Sequence, residues 1–118
     1  MAELTTKRIH EPTSASDGYR VLVDGMWPRG VRKSDAALHH WLKDLAPSKA
    51  LRQWFGHDPR KWPEFRRRYH RELDANGAAL QPLRALLETD ARITLLFAAR
   101  DEQHNNAVAL AEYLRGDG

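Results

Sequence analysis

The segment Arg92–Ala98, RITLLFA, constrains this chain more than any other. Its apolar residues run almost unbroken, the pattern of a strand buried on both faces within a parallel sheet. A second, valine-rich strand is predicted over Arg20–Asp24, entered from Tyr19, and a weaker third over Thr5–Ile9. Between the two good strands lies a long stretch with helical periodicity. A strand, a helical excursion and a second buried strand make a crossover unit, expected to be right-handed. The expected fold class is therefore α/β: a small, mainly parallel sheet of about three strands packed with several helices, in a single domain over residues 1–118. The short turn Pro12–Gly18 points to an antiparallel connection between the first two strands, because a parallel crossover usually takes about a dozen residues or more.

The helical stretch divides at its punctuation. Ser34 is expected to cap a helix with Leu38, Trp41, Leu42 and Leu45 on one face. Pro47-Ser48 opens a second, with Leu51, Trp54 and Phe55 inward and Gly56 as its stop. After a turn at Asp58-Pro59, Pro63 begins a third, reaching about Asp74, with Phe65, Tyr69 and Leu73 as its apolar stripe. Asn76-Gly77 ends it, and a shorter helix follows through Leu83, Leu86 and Leu87. The last helix is predicted from about Gln103 to Arg115. On this layered reading Trp41, Trp54, Phe65 and Tyr69 are core residues, and Arg67 and Arg71 are exposed.

Composition narrows the functional classes. The chain has 118 residues, 42% hydrophobic and 30% charged, which is neither a disordered nor a membrane-embedded balance. Ile93–Ala99 is far too short to span a bilayer, and MAELTTKRIH lacks the apolar core of a signal peptide. A cytoplasmic location and no membrane partner are expected. Without cysteine there is no disulfide, thiolate metal site or cysteine nucleophile. The net charge of +3 hides an asymmetry: residues 29–72 carry +7, and all four tryptophans fall within that stretch or at its edge. No dinucleotide, P-loop or serine-hydrolase motif occurs, and no metal-ligand spacing, so no cofactor and no metal are expected.

Topology then supplies a site. Ligands of open α/β sheets usually bind beyond the carboxyl ends of the strands. If the two good strands are parallel neighbours, the loops Asp24–Gly30 and Ala99–Asn106 emerge at one edge and border one concavity. Asp24, Asp101 and His104 are the candidate catalytic acid–base residues. Trp27, Arg29, Arg100 and Asn105 are the candidate ligand-binding residues, and two arginines favour a phosphate or carboxylate. Structural roles compete for the same side chains. Asp24 can close an Asx turn, Asp101 can cap the last helix, and Trp27 can be a hydrophobic plug. Arg29 and Arg100 can be neutralised by Asp24 and Asp101.

The segments GYRVLVDGMWPRG (18–30), WLKDLAPS (41–48), LRQWFGHDP (51–59), EFRRRYHREL (64–73) and TLLFAARDEQHNNA (94–107) together carry a family resemblance. In this order they resemble the domain-of-unknown-function 488 family in its short, YeaO-like form. The resemblance implies a small α/β domain of cytosolic bacterial proteins, and it supplies no reaction, cofactor or catalytic residue. The family pattern has arginine then leucine where this chain has Gly25-Met26. A site built on that arginine would rest here mainly on Arg29 and Arg100.

Three functions fit these observations. The first is an enzyme acting on a small anionic substrate. The second is a nucleic-acid-binding module that uses the basic helix 63–74, where RRRYHR can grip phosphates. The third is a noncatalytic domain that offers its tryptophan-rich middle to a protein partner.

Overall fold

The computed structural model describes residues 2–116. Four strands form one sheet: β1 (Glu3–Arg8), β2 (Tyr19–Leu22), β3 (His40–Trp41) and β4 (Arg92–Phe97). Their order is β1-β4-β2-β3, and every neighbouring pair is parallel. The helices are α1 (Lys33–Ala36), α2 (Lys49–Phe55), α3 (Trp62–Asp74), α4 (Gly77–Leu87) and α5 (Asn106–Arg115). The expected α/β class and the parallel pairing of the two apolar strands are both present. The sheet has four strands rather than about three.

The antiparallel reading of the first two strands is overturned. β1 and β2 never pair, because β4 lies between them and runs parallel to both, with Leu4↔Ile93 on one side and Tyr19↔Ile93 on the other. The connection is longer than the turn at Pro12–Gly18, because residues 9–18 lie between Arg8 and Tyr19. Extended, they reach about 33 Å, enough to run back along strands of six and four residues. Gly18 makes that entry possible: its φ is +64°, and a Cβ there would collide with the Arg92 backbone.

The segment 34–45 departs most from expectation. Its helix lasts one turn, ended by Ala37 in the left-handed region at φ 48°. His40–Trp41 then joins the sheet as an edge strand, with the His39 and Leu42 N–H groups donating to the Arg20 and Leu22 carbonyls at 2.9 Å each. Without these residues the outer side of β2 would present unpaired backbone groups, and satisfying them outweighs one turn of helix propensity. Leu45 is still buried, but Trp41 is 36% exposed and is not a core residue.

The other helices follow their signals. Ser48 caps α2 by accepting the Leu51 N–H, and Gly56 ends it at φ 53°. Along α3 the stripe Phe65, Tyr69 and Leu73 is buried, while Arg67 and Arg71 face solvent. Trp54 is only partly buried. The last helix begins at Asn106, three residues later than expected, with Asn105 as its cap.

Alternation along the strands builds two cores. Val21, Val23, Ile93, Leu95 and Phe97 face α2, α3, α4 and α5 and pack with Phe55, Phe65, Tyr69, Leu83 and Leu110. Leu22 and Leu96 point the other way, with Ile9 and Ala36, under Trp27, Val31 and Leu38. The middle of the sheet is therefore covered on both faces, as the unbroken apolar run of β4 requires. No helix among the described residues is long and apolar enough to cross a membrane.

Candidate functional site

Because β1, β4 and β2 are parallel, the segments that follow them leave the sheet at one edge. The backbone keeps them together for one more residue: the Ile9 N–H donates to Phe97 O at 2.8 Å, and the Val23 N–H donates to Leu96 O at 3.2 Å. Beyond that point they part around a cleft of about 860 Å³. Asp24, Trp27 and Arg29 line it from the loop after β2, and Arg100, Asp101 and Asn105 from the loop after β4. His104, the seventh candidate, does not line it.

Asp24 sits at the root of the first loop. One carboxylate oxygen, Oδ2, accepts the Ala98 N–H at 2.9 Å. Burial is the strongest influence on this carboxyl and raises its pKa above the ordinary aspartate value. The Ala98 N–H, the Asn106 amide and the charges of Arg52 and His57 oppose that rise without cancelling it. Asn106 also donates to Val23 O at 3.0 Å, which fixes the loop to the start of α5.

The loop is tight against α2 because residue 25 has no side chain. A Cβ on Gly25 would lie 3.2 Å from Ala46 Cβ and 3.7 Å from Arg52 Nη1. The Arg52 guanidinium thus lies over the glycine and lines the cleft. Replacement of the arginine in the family pattern by Gly25 therefore does not leave Arg29 and Arg100 as the only cations. Arg8, from the end of β1, is a fourth, held by its Nε–H to Ala98 O at 3.3 Å. His10 and His57 complete the basic lining.

Trp27 has a structural role as well as a place in the wall. Its indole N–H donates to Val31 O at 2.8 Å, and its ring meets Trp41 edge-on at 5.4 Å. Met26 beside it is 71% exposed at the mouth.

The second loop is organised by its own turn. Asp101 Oδ1 accepts the N–H groups of Gln103 and His104 at 2.9 and 3.0 Å, while Oδ2 holds His104 Nδ1 at 2.9 Å. The Gln103 N–H first, then the His104 side chain, keep its pKa below the usual range. Asp101 therefore shapes the approach to α5, and the cap itself is Asn105, whose Oδ1 accepts the Val108 N–H at 3.0 Å. His104 turns to the Trp62 ring, edge-on at 5.3 Å. Of the expected acid–base residues, Asp24 and Asp101 both line the cleft and Asp101 holds His104, which does not itself line it. Among the described residues no salt bridge includes Arg8, Arg29, Arg52 or Arg100, although the charge of Arg52 acts on Asp24.

The basic helix α3 is different. Glu64 pairs with Arg67 and Arg68, and Glu112 of α5 pairs with Arg66. Arg68 lies over the Trp54 ring at 4.2 Å, and Arg66 lies 5.9 Å from the Trp62 ring. Among the described residues, three of the four arginines of α3 are thus ion-paired.

Arg8, His10, Arg52, His57 and Asn106 were not among the sequence candidates. Treating the first strand as parallel would have brought Arg8 and His10 to the same edge. Arg52 and His57 carry no local signal, since only the packing of α2 against the Gly25 loop brings them there.

Comparison with known proteins identifies the family. The family model DUF488-N3i, described as the inactive DUF488-N3 subclade, matches residues 3–117, and the chain belongs to that family. An uncharacterized protein of Mycobacterium tuberculosis is 43% identical over 109 residues, covering 92% of this chain and 91% of the relative. An uncharacterized protein of Mycobacterium bovis is similar to the same degree. The uncharacterized protein YeaO of Escherichia coli is 38% identical over 109 residues, covering 92% and 94%. No solved structure matches the chain.

Proposed function

We propose that this member of the inactive DUF488-N3 subclade binds a small phosphate- or carboxylate-bearing ligand in the cleft beyond β1, β4 and β2, without turning it over. The observation that carries this reading is charge. Four guanidinium groups and two carboxylates line one cleft, and among the described residues no salt bridge includes any of the four. Unpaired guanidiniums in a concave site hold anions by charge-assisted, often bidentate hydrogen bonds.

Binding is favoured over catalysis because the lining has no hydroxyl, thiol or amine nucleophile, neither serine, threonine, cysteine, lysine nor tyrosine. The expected pairing of His104 with Asp101 is present, but His104 itself does not line the cleft and its ring meets Trp62. The description of the family as inactive accords with this reading. A nucleic-acid interface on α3 is less well supported, because Glu64 and Glu112 occupy three of its arginines.

Calorimetric titration with inorganic phosphate and with acetate tests the reading. Arg29→Ala, Arg52→Ala and Arg100→Ala should each weaken binding of the preferred anion, by about tenfold where a charge-assisted bond is lost. Raising the salt concentration should weaken it further. Binding that is equal in the wild type and all three variants would overturn the proposal.

A further inference from the structure

From the composition of the cleft we infer that its ligand is a nucleoside phosphate, held at its phosphate by the arginines and at its flat ring system by Met26 and Trp27. This rests on the anion-binding reading and narrows it.

Size is the first reason. A cleft of about 860 Å³ is far larger than an inorganic anion needs and lies in the range that encloses drug-sized organic molecules. The second is the apolar wall beside the cations. Met26 is 71% exposed, against 38% and 36% for Tyr19 and Trp41, the other exposed large hydrophobic residues among those described. It stands at the mouth next to Trp27 and Pro28, with Pro47, Ala98 and Ala99 also in the lining. A single exposed methionine is unremarkable on a surface. One that continues an apolar wall into a basic cleft offers a flexible, polarizable contact for a flat ring.

Asp24 supplies the third reason. A carboxylate among the arginines repels a bare anion, so a ligand that fills the cleft gains by presenting a hydrogen-bond donor to it. Sugar hydroxyls and exocyclic amines are such donors. A phosphate, hydroxyl donors and a flat ring system occur together in a nucleoside phosphate.

The experiment compares affinities for the whole chain by calorimetry, with inorganic phosphate, ribose 5-phosphate and adenosine 5′-monophosphate as probes. A 5′-phosphorylated tetranucleotide is the fourth. The nucleotide should bind roughly ten- to hundredfold more tightly than ribose 5-phosphate, the gain expected from stacking one base. Met26→Ser should reduce that ratio to within about threefold, with an unchanged melting temperature as the folding control. A nucleotide no tighter than ribose 5-phosphate, or a ratio that survives Met26→Ser, would overturn this inference and leave the anion site standing. If ribose 5-phosphate and inorganic phosphate fail to bind, and Arg100→Ala changes nothing, the anion reading itself falls. Tetranucleotide binding as tight as the mononucleotide would identify the source as a strand end, and weaker binding a free nucleotide; both support the ligand class.

Discussion

The Asp24 carboxylate accepts the Ala98 N–H at 2.9 Å and so ties the end of β2 to the end of β4 where the cleft opens. The bond uses Asp24 as an acceptor, while burial works against its charge and raises its pKa. The folded state therefore binds this proton more tightly than the unfolded state. The stability gained from it is fully present below the ordinary aspartate pKa and is lost as pH rises through the folded value. Asp24→Asn keeps an acceptor for Ala98 and removes the charge. It should be at least as stable as the wild type at neutral pH, with a flatter stability–pH curve on the acid side. Asp24→Ala leaves the Ala98 N–H without its partner and should cost about 1–3 kcal/mol. Urea unfolding across a pH series checks both, and an asparagine variant as damaged as the alanine one would contradict the argument.

Tyr69 links α3 to the chain that enters α2. Its hydroxyl donates to Leu45 O at 2.6 Å, and both residues are buried. Burial pushes the phenol far above its ordinary pKa, so it remains a donor wherever the protein is folded. Tyr69→Phe preserves the ring against Phe65 but leaves the Leu45 carbonyl unpaired. A loss of about 1–3 kcal/mol is expected, with little change in the denaturant slope. An unchanged unfolding midpoint would show that the bond is replaced by solvent.

The parts of this fold legible in the sequence are those where one signal has one physical meaning. The apolar run of β4 needs cover on both faces, Ser48 caps α2 through its side chain, and Gly56 ends that helix in the left-handed region. Leu38, Trp41, Leu42 and Leu45 were ambiguous because helical spacing also arises by chance in a segment whose backbone partners lie elsewhere. Only the open edge of β2 decides for His40–Trp41. The cleft was readable on the two loops that parallel strands bring together. Arg52 was not, since it enters through the missing Cβ of a glycine 27 positions earlier, at residue 25. His104 was assigned to the cleft through the loop after β4, and it keeps the expected bond to Asp101 while its own side chain stays out of the lining.

The different placement of two aromatics separates their energetic roles. Phe65 is 2% exposed and stacked on Phe55 at 4.2 Å, whereas Trp41 is 36% exposed and meets Trp27 edge-on. Phe65→Ala should cost about 3–5 kcal/mol, from lost transfer free energy and the cavity left behind. Trp41→Ala should cost about 1–2 kcal/mol, mainly the ring contact and partial burial. Equal losses in chemical denaturation would mean that Trp41 supports the fold in a way its exposure does not convey.

Asp17 holds together a polar cluster on the sheet face opposite the larger core. Its carboxylate accepts Lys7 Nζ at 3.0 and 3.1 Å, Arg20 Nη1 at 2.6 Å and the Ser14 N–H at 3.0 Å. Burial alone would raise the pKa, but Lys7, the Ser14 N–H and Arg20 together outweigh it and hold the group below the ordinary value. The unfolded state therefore takes up the proton first. The stability from Asp17 is present above the ordinary aspartate pKa and is lost as pH falls through the folded one. Arg20 is 3% exposed, and Asp17→Asn would leave its buried charge facing only a neutral amide and the Ala36 carbonyl. Asp17→Asn should therefore cost about 3–5 kcal/mol at neutral pH and flatten the acid limb of the stability curve. Pairing it with Arg20→Met removes the stranded charge and should recover much of that loss. A double variant no better than Asp17→Asn alone would show that the carboxylate acts through Lys7 and the Ser14 turn, not through the buried guanidinium.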